Sequence, residues 1–178
     1  DLHDISLPDA QQVGLGFVEH PQHRFPAVVP AVFAVEIFPR RKADVEGHHS
    51  DFALGAGIAK RFAALGVKEA LHTGKAKGSV HGTYYFDGKG YCMITDSIGG
   101  WKVANLVTKY RYYHKPTYKT VADALHDLKK HLSDFPEVKK LGMPLIGCGL
   151  DKLQWEKVRE IIEGQFSDTD YEITVCRL

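Results

Sequence analysis

Met143-Pro144-Leu145-Ile146-Gly147-Cys148-Gly149-Leu150-Asp151-Lys152-Leu153-Gln154-Trp155 is the stretch that decides the fold. The apolar run over residues 141–146 predicts a short buried strand that ends at a pair of glycines. Asp151 and Gln154 have the spacing of a capping box, so a helix is predicted to begin at Asp151. Glycines allow a ligand to approach the backbone closely, and the N-terminus of a helix favours an anion. The stretch therefore predicts a phosphate-binding turn, although many such turns carry glycines for geometry alone.

Length and composition indicate one globular domain and exclude several classes of protein. The 178 residues can bury a sizeable core, and 23 lysines and arginines against 22 acids give no case for nucleic acid from net charge. The three cysteines are too dispersed for a disulfide framework or a zinc site, and His3, His20 and His23 lack ligand spacing, so no metal and no cofactor are expected. There is no membrane-spanning run and no signal-peptide pattern. We expect an intracellular monomer, cytoplasmic or nuclear.

A second glycine-bearing loop precedes a helix in the first half of the chain. Residues 50–59 contain Gly55 and Gly57 and lead into a predicted helix that extends to Leu65. Two loops that each open a helix suggest two sets of backbone amides, one for each half of a diphosphate.

The remaining pattern predicts an α/β fold. Strands are predicted at 28–38, 80–86, 91–95, 103–108 and 171–178, with a hairpin at Asp87-Gly88. A helix is predicted from a cap formed by Thr120 and Asp123, with an apolar face of Val121, Leu125, Leu128 and Leu132. One further helix is predicted at 67–75, and the helix that follows the glycine turn is predicted to end at about residue 166. Because strands and helices alternate in the second half, we expect a mixed sheet with helices on both faces.

Three stretches together resemble a macrodomain: residues 52–59, Leu106-Val107-Thr108-Lys109 followed by His114-Lys115-Pro116-Thr117-Tyr118, and residues 144–155. Within that fold they are similar to the terminal ADP-ribose protein glycohydrolase branch. The resemblance implies a three-layer α/β/α fold that binds ADP-ribose and removes it from acidic side chains; relatives remove it from DNA bases. It covers residues 35–178, and residues 1–34 are interpreted as an N-terminal extension.

The resemblance also implies which residues contact ADP-ribose. They are Glu36, Asp51, Leu54, Gly55, Ala56, Gly57, Ile58, Thr108, Pro144, Ile146, Gly147, Cys148, Gly149 and Leu150. The family usually has Gly-Asp-Leu-Phe where this chain has Val35-Glu36-Ile37-Phe38, and Glu36 can still accept a hydrogen bond from the adenine amine. Asp51 either contacts a ribose or caps its loop, and Cys148 is interpreted as a small packed side chain, not a nucleophile.

The catalytic residues implied by the resemblance are Lys109 and Asp151. In the glycohydrolase branch the lysine attacks the anomeric carbon of the distal ribose, and the aspartate after the glycine pair assists and then helps to release the adduct. Lys109 must react as the neutral amine, which neighbouring cations such as Arg111 or Lys115 would favour. The residues alone favour a solvated lysine and an ordinary helix cap; their joint placement in the family motifs favours catalysis.

Two other functions remain open from the sequence. One is a non-catalytic reader of ADP-ribose marks on proteins. The other is action on ADP-ribosylated nucleic acid or binding of poly(ADP-ribose), because Tyr110, Tyr112 and Tyr113 beside Arg111 could stack on a base; the same cluster could equally pack at a strand edge. Hydrolysis of O-acyl-ADP-ribose is a further candidate activity.

Overall fold

The structure is a computed structural model that describes residues 10–11, 31–37, 39–41, 50–52, 57–72, 88–96, 102–109 and 114–176. The strands are β1 (Ala10–Gln11), β2 (Ala31–Ile37), β3 (Pro39–Arg41), β4 (Ser50–Phe52), β5 (Tyr91–Asp96), β6 (Lys102–Val107), β7 (Lys140–Pro144) and β8 (Glu172–Cys176). The helices are α1 (Gly57–Ala64), α2 (Val67–His72), α3 (Tyr118–Leu132) and α4 (Trp155–Phe166).

Six of these strands form one mixed sheet in the order β1-β8-β7-β2-β6-β5. The four central strands β8, β7, β2 and β6 run parallel, and β1 and β5 are antiparallel to their neighbours. β3 and β4 form a separate antiparallel pair. Because β6 and β7 both pair with β2 in parallel, the carboxyl ends of all three strands lie at one edge of the sheet.

Alternating side chains place buried residues on both faces of the sheet. Leu106 of β6 and Ile94 of β5 belong to the core that includes the apolar faces of α3 and α4. Val103 and Met93 have the opposite parity and are also fully buried. Since α1 contacts β2 and α2 contacts β5, helices cover the sheet on both sides, as predicted for three layers.

Helix α3 has the predicted apolar face but begins earlier than predicted. Val121, Leu125, Leu128 and Leu132 are completely buried. The N-cap, however, is Thr117: its hydroxyl accepts from the Thr120 amide at 3.1 Å, and the Thr120 hydroxyl accepts from the Thr117 amide at 3.0 Å. Asp123 instead pairs with Lys119 one helical turn away at 2.8 Å. The prediction that Thr120 and Asp123 cap this helix is therefore wrong.

The start of β5 is tied to the middle of α3 by a carboxylate. The backbone N–H of Cys92 donates to Asp127 Oδ2 at 2.9 Å, and His131 Nε2 lies 3.5 Å from the same oxygen. Burial opposes ionisation of Asp127, but the hydrogen bonds from His131 and Cys92 outweigh it and lower the pKa of Asp127. Burial, followed by the nearby Asp127 charge, raises the pKa of the Cys92 thiol, which is therefore an unreactive core side chain.

Several predicted boundaries differ from the observed ones, and some predictions lie outside the described residues. β7 ends at Pro144, so Leu145 and Ile146 belong to the following turn and not to the strand. The predicted strand at 80–86, and with it the hairpin, lies outside the described part of the chain. The division at residue 34 stays a prediction, although β1 and the first residues of β2 are numbered below it.

Candidate active site

The candidate site lies at the carboxyl edge of the sheet, where β6 and β7 end on either side of β2. Thr108 and Lys109 directly follow β6, and the turn over residues 145–154 follows β7. Ligands of parallel α/β sheets bind at such an edge, outside the carboxyl ends of the strands. The two motifs that carry the predicted catalytic residues therefore meet at a place that favours a ligand site.

Lys109 and Asp151 form a buried ion pair there. Lys109 Nζ donates to both carboxylate oxygens of Asp151, at 2.6 Å and 2.8 Å. Only 3% of the lysine side chain and 8% of the aspartate side chain are exposed. Lysine is among the residues that are least often fully buried, and a two-oxygen contact of this length is a strong charge-assisted hydrogen bond. The structure thus brings together two residues that are 42 positions apart.

Asp151 does not cap the following helix. α4 begins only at Trp155, and its N-cap residue, Gln154, makes no side-chain cap hydrogen bond. The carboxylate of Asp151 is instead committed to Lys109, because a buried ammonium binds a carboxylate more strongly than an exposed helix end does. The predicted capping box of Asp151 and Gln154 is wrong, and the helix starts four residues further along.

The turn between β7 and α4 is closed by its own backbone. Cys148 N donates to Leu145 O at 3.1 Å, Lys152 N to Gly149 O at 3.2 Å, and Leu153 N to Gly147 O at 2.9 Å. Lys152 has φ +60, which is uncommon for a residue with a side chain. Such strain persists only where the surroundings determine the backbone, and it is frequent at ligand sites.

Three consecutive amides of this turn remain available to a ligand. No group in the described part of the chain accepts a hydrogen bond from the backbone N–H of Gly149, Leu150 or Asp151. Gly149 and Leu150 are exposed, and the Leu150 side chain is 80% exposed. Neighbouring free N–H groups at a turn provide partial positive charge for an anion, which is the property predicted for a phosphate-binding turn.

The two glycines of the turn have different structural roles. Gly147 has φ +69, and a Cβ atom there would lie 2.7 Å from Leu153 Cδ1. A Cβ atom on Gly149 would meet nothing within 4 Å. Gly147 is therefore required by the turn itself, whereas the absence of a side chain at Gly149 leaves space outside the protein.

Residues 114–118 contact the turn at two points. Lys115 Nζ donates to Leu150 O at 2.6 Å and lies 3.8 Å from Asp151 Oδ1. The Tyr118 hydroxyl accepts from Gln154 N at 3.1 Å. Lys115 and Tyr118 both belong to a stretch that resembles the family, and Lys115 was also expected as a cation near Lys109. Neither contact with the turn was predicted, and the signal in the sequence is the spacing of these residues after Lys109.

The other predicted ligand residues are placed only in part. Thr108, which directly precedes Lys109, and Ile146, which lies in the turn before Asp151, are both buried. Cys148 Sγ donates to Ile146 O at 3.2 Å, which agrees with a packed thiol. The backbone of Glu36 lies opposite Leu106 near the end of β2, and that of Asp51 lies in β4. Leu54, Gly55 and Ala56 lie outside the described residues. The next two predicted ligand residues, Gly57 and Ile58, are the first two residues of α1.

Neither a membrane span nor a metal cluster occurs in the described residues. None of the described helices is long and apolar enough to cross a membrane. Among the same residues, no group of three His, Cys, Asp or Glu side chains is placed to bind a metal ion.

Comparison with known proteins identifies the family. The sequence matches no protein-family model. It is 38% identical over 147 residues to ADP-ribose glycohydrolase OARD1 of Homo sapiens, and the matched region covers 80% of this chain and 88% of the human protein. The Bos taurus protein of the same name is 41% identical over 130 residues, covering 72% and 76%. The chain belongs to the ADP-ribose glycohydrolase OARD1 family.

Solved structures similar to this member of the OARD1 family include macrodomains. The macrodomain of Mycobacterium tuberculosis DarG superposes with a TM-score of 0.60 at 17% identity, covering 91% of this chain and 97% of that one. Thermosipho africanus DarTG in complex with ADP-ribose gives a TM-score of 0.54 at 14% identity, covering 89% and 44%. The predicted macrodomain fold is confirmed.

Proposed function

We propose that this chain is an ADP-ribosyl glycohydrolase that removes mono-ADP-ribose from acidic side chains of proteins, with Lys109 as nucleophile and Asp151 as its acid–base partner. The observation that carries the proposal is the buried contact between these two side chains, at 2.6 and 2.8 Å. It is supported by the family, whose human and bovine members are named ADP-ribose glycohydrolases.

The geometry gives Lys109 a direct way to become a nucleophile. Moving one proton from Nζ to Oδ1 over 2.6 Å converts the ammonium and carboxylate into a neutral amine and a carboxylic acid. In a site that excludes water, a buried pair of charges and the corresponding neutral pair can be close in free energy, because burial disfavours charge. Asp151 is thus the acceptor that activates the amine.

The proposed reaction proceeds in two displacements at the anomeric carbon of the distal ribose. In the first, Lys109 Nζ forms a bond to that carbon, and the bond to the substrate carboxylate breaks with its electron pair on the leaving oxygen. Before the second displacement the Asp151 carboxylic acid gives its proton to solvent and is again a carboxylate. A water then forms the new carbon–oxygen bond while Asp151 takes its proton, and the bond to Nζ breaks with its electron pair on the nitrogen. The products are ADP-ribose, a free carboxylate and one proton. A carboxylate leaves readily without protonation, so an amine and one carboxylate suffice where ordinary glycosidases use two carboxylates.

The exposed turn after β7 supplies a site for the diphosphate in this proposal. Gly149, Leu150 and Asp151 offer free N–H groups, and the open space at Gly149 allows close approach of a phosphate. ADP-ribose bound there would bring its distal ribose near the ion pair, since Asp151 belongs to both the turn and the pair.

The test is covalent trapping with a glutamate-linked ADP-ribosylated protein, followed by intact mass and peptide mapping. Lys109→Arg is the sharpest variant, because it retains a cation for Asp151 but has no amine nucleophile at neutral pH. It should bind ADP-ribose, release none and form no adduct. Asp151→Asn should form the adduct slowly, because Lys109 has lost its proton acceptor, and should resolve it more slowly still, so that one ADP-ribosyl group accumulates on Lys109.

Controls distinguish this reaction from the alternatives. Lys119→Arg, on an exposed lysine, should behave as wild type. Release of ADP-ribose by Lys109→Arg at the wild-type rate would refute the covalent route. Binding without release by the wild-type chain would instead indicate a reader module. A panel of glutamate-linked, O-acyl and DNA-linked substrates identifies the preferred linkage.

A further inference from the structure

We propose that Lys115 is a positioning residue for the reaction: it fixes the turn that carries Asp151 and supplies a permanent positive charge beside the carboxylate. This inference rests on the proposed function for its chemical consequence, but its structural half can be tested without turnover. The contacts that carry it are the 2.6 Å hydrogen bond from Lys115 Nζ to Leu150 O and the 3.8 Å approach to Asp151 Oδ1.

Asp151 Oδ1 lies between two ammonium groups of different character. Lys109 Nζ, 2.6 Å away, is on a side chain that is 3% exposed. Lys115 Nζ, 3.8 Å away, is on a side chain that is 61% exposed. The inner lysine is the proposed nucleophile, and the outer lysine lies largely in solvent.

The bond to Leu150 O acts on the residue that directly precedes Asp151. Three N–H groups from Gly149 to Asp151 have no acceptor in the described part of the chain, so they do not fix this segment. The side chain of Leu150 is 80% exposed and contributes little packing. Lys115 therefore restrains the middle of the turn, in addition to the backbone bond from Lys152 N to Gly149 O and the hydrogen bonds from Lys109 to Asp151.

A second contact makes this restraint rigid. Tyr118, three residues after Lys115, accepts a hydrogen bond from Gln154 N. Residues 115–118 therefore contact the turn on both sides of Asp151, at Leu150 and at Gln154. The segment leads into α3, whose start is fixed by the Thr117 and Thr120 capping box. The position of Asp151 is thus fixed relative to helix α3, whose apolar face packs in the core.

The charge of Lys115 matters most when Lys109 has lost its own. With both lysines charged, the three groups carry a net charge of +1. Once Lys109 becomes a neutral amine, Lys115 is the cation that remains in the cluster, and it favours the release of an anionic carboxylate. Substrates that leave as carboxylates should depend on Lys115 more strongly than substrates that leave as neutral groups.

The experiment compares Lys115→Met, Lys115→Arg and Lys119→Met in the full chain. Lys119 is the matched control, because it is an exposed lysine four residues away whose partner is Asp123. Lys115→Met should lower kcat on a glutamate-linked substrate roughly ten- to hundred-fold, as expected for a small displacement of a reacting group, with KM changed by no more than about two-fold. Lys115→Arg should restore most of kcat, and Lys119→Met should match wild type.

Amide hydrogen exchange of the substrate-free proteins provides the readout that is independent of turnover. Lys115→Met should speed exchange at residues 149–153 while leaving α3 and α4 unchanged, and Lys119→Met should not. Unchanged exchange together with wild-type kcat in Lys115→Met would overturn the inference. A wild-type chain that releases no ADP-ribose would refute the proposed function instead, while the exchange comparison would still decide the role of Lys115.

Discussion

Replacing Lys109 or Asp151 singly should destabilise the folded domain far more than replacing both together. Replacing Asp151 leaves the Lys109 ammonium buried without this carboxylate, and replacing Lys109 leaves the Asp151 carboxylate with the more distant and exposed Lys115, 3.8 Å away. The side chains of Lys109 and Asp151 are only 3% and 8% exposed. Breaking a buried pair in this way costs about 3–5 kcal/mol, out of a total unfolding free energy of about 5–15 kcal/mol. For a domain of this size the midpoint of thermal unfolding should fall by about 6–20 °C.

The double replacement Lys109→Met with Asp151→Leu removes both charges and keeps similar volume, so its cost should be small or even negative. Urea denaturation of wild type, both single variants and the double variant gives the coupling energy directly. The exposed pair Lys119 and Asp123 has a comparable N–O distance of 2.8 Å and serves as the control, with an expected coupling of about 0.5 kcal/mol.

Single variants that remain within about 1 kcal/mol of wild type would refute the reasoning, since burial would then not be making the pair interdependent. A double variant whose loss equals the sum of the two single losses would do the same. The result also bears on activity measurements, because turnover of the single variants must be corrected for the folded fraction.

Three further predictions follow from local geometry. Gly149→Ala should leave the stability within about 1 kcal/mol of wild type yet weaken ADP-ribose binding about tenfold or more, as measured by calorimetry. Gly147→Ala should instead lose about 1–2 kcal/mol of stability in thermal unfolding, because Gly147 has a φ of +69. Equal affinities of Gly149→Ala and wild type for ADP-ribose would place the ligand elsewhere. The pKa of Asp127 is lowered in the folded state, so the stability that Asp127 contributes is present above its unfolded-state pKa of about 3.9 and is lost as the pH falls through the lower folded-state pKa. Asp127→Asn should not show this loss when its stability is measured by denaturation between about pH 2 and 5. Thr117→Ala should cost about 1 kcal/mol in thermal unfolding by removing the cap of α3, and Thr117→Ser should restore it.

The elements of the fold could be predicted where the pattern was local and periodic. The apolar face of α3 follows from its 3.6-residue spacing, and the strands at β5 and β6 follow from short apolar runs. The start of α3 was misplaced because Thr120 is followed at the right spacing by Asp123, whereas the real box uses two threonines, Thr117 and Thr120. A threonine at the third helical position is a weaker signal in the sequence than an acid.

The misreading of Asp151 has a different cause. The spacing of Asp151 and Gln154 is that of a capping box, but the carboxylate of Asp151 binds Lys109, 42 residues earlier, instead of the helix end. Pairing across that separation depends on strand order, which the sequence pattern does not contain. For the same reason the contact from Lys115 to Leu150 O could not be predicted, although Lys109 and Asp151 were both named through the family resemblance. The ligand contacts of Glu36 and Asp51 stay predictions.

The strand order also determines when a newly made chain can form the ion pair of Lys109 and Asp151. β6 and β7 do not pair with each other; β2 lies between them and supplies neither member of the ion pair. During synthesis, a chain that has been translated as far as α3 already contains Lys109 but no Asp151, and β7 has yet to join the sheet. The ion pair of the proposed nucleophile therefore forms only once β7 and the turn that follows it have been made and β7 has paired with β2. A truncated or partly folded molecule lacks this ion pair, so the covalent labelling of Lys109 that the proposed reaction requires would report native topology as well as catalysis.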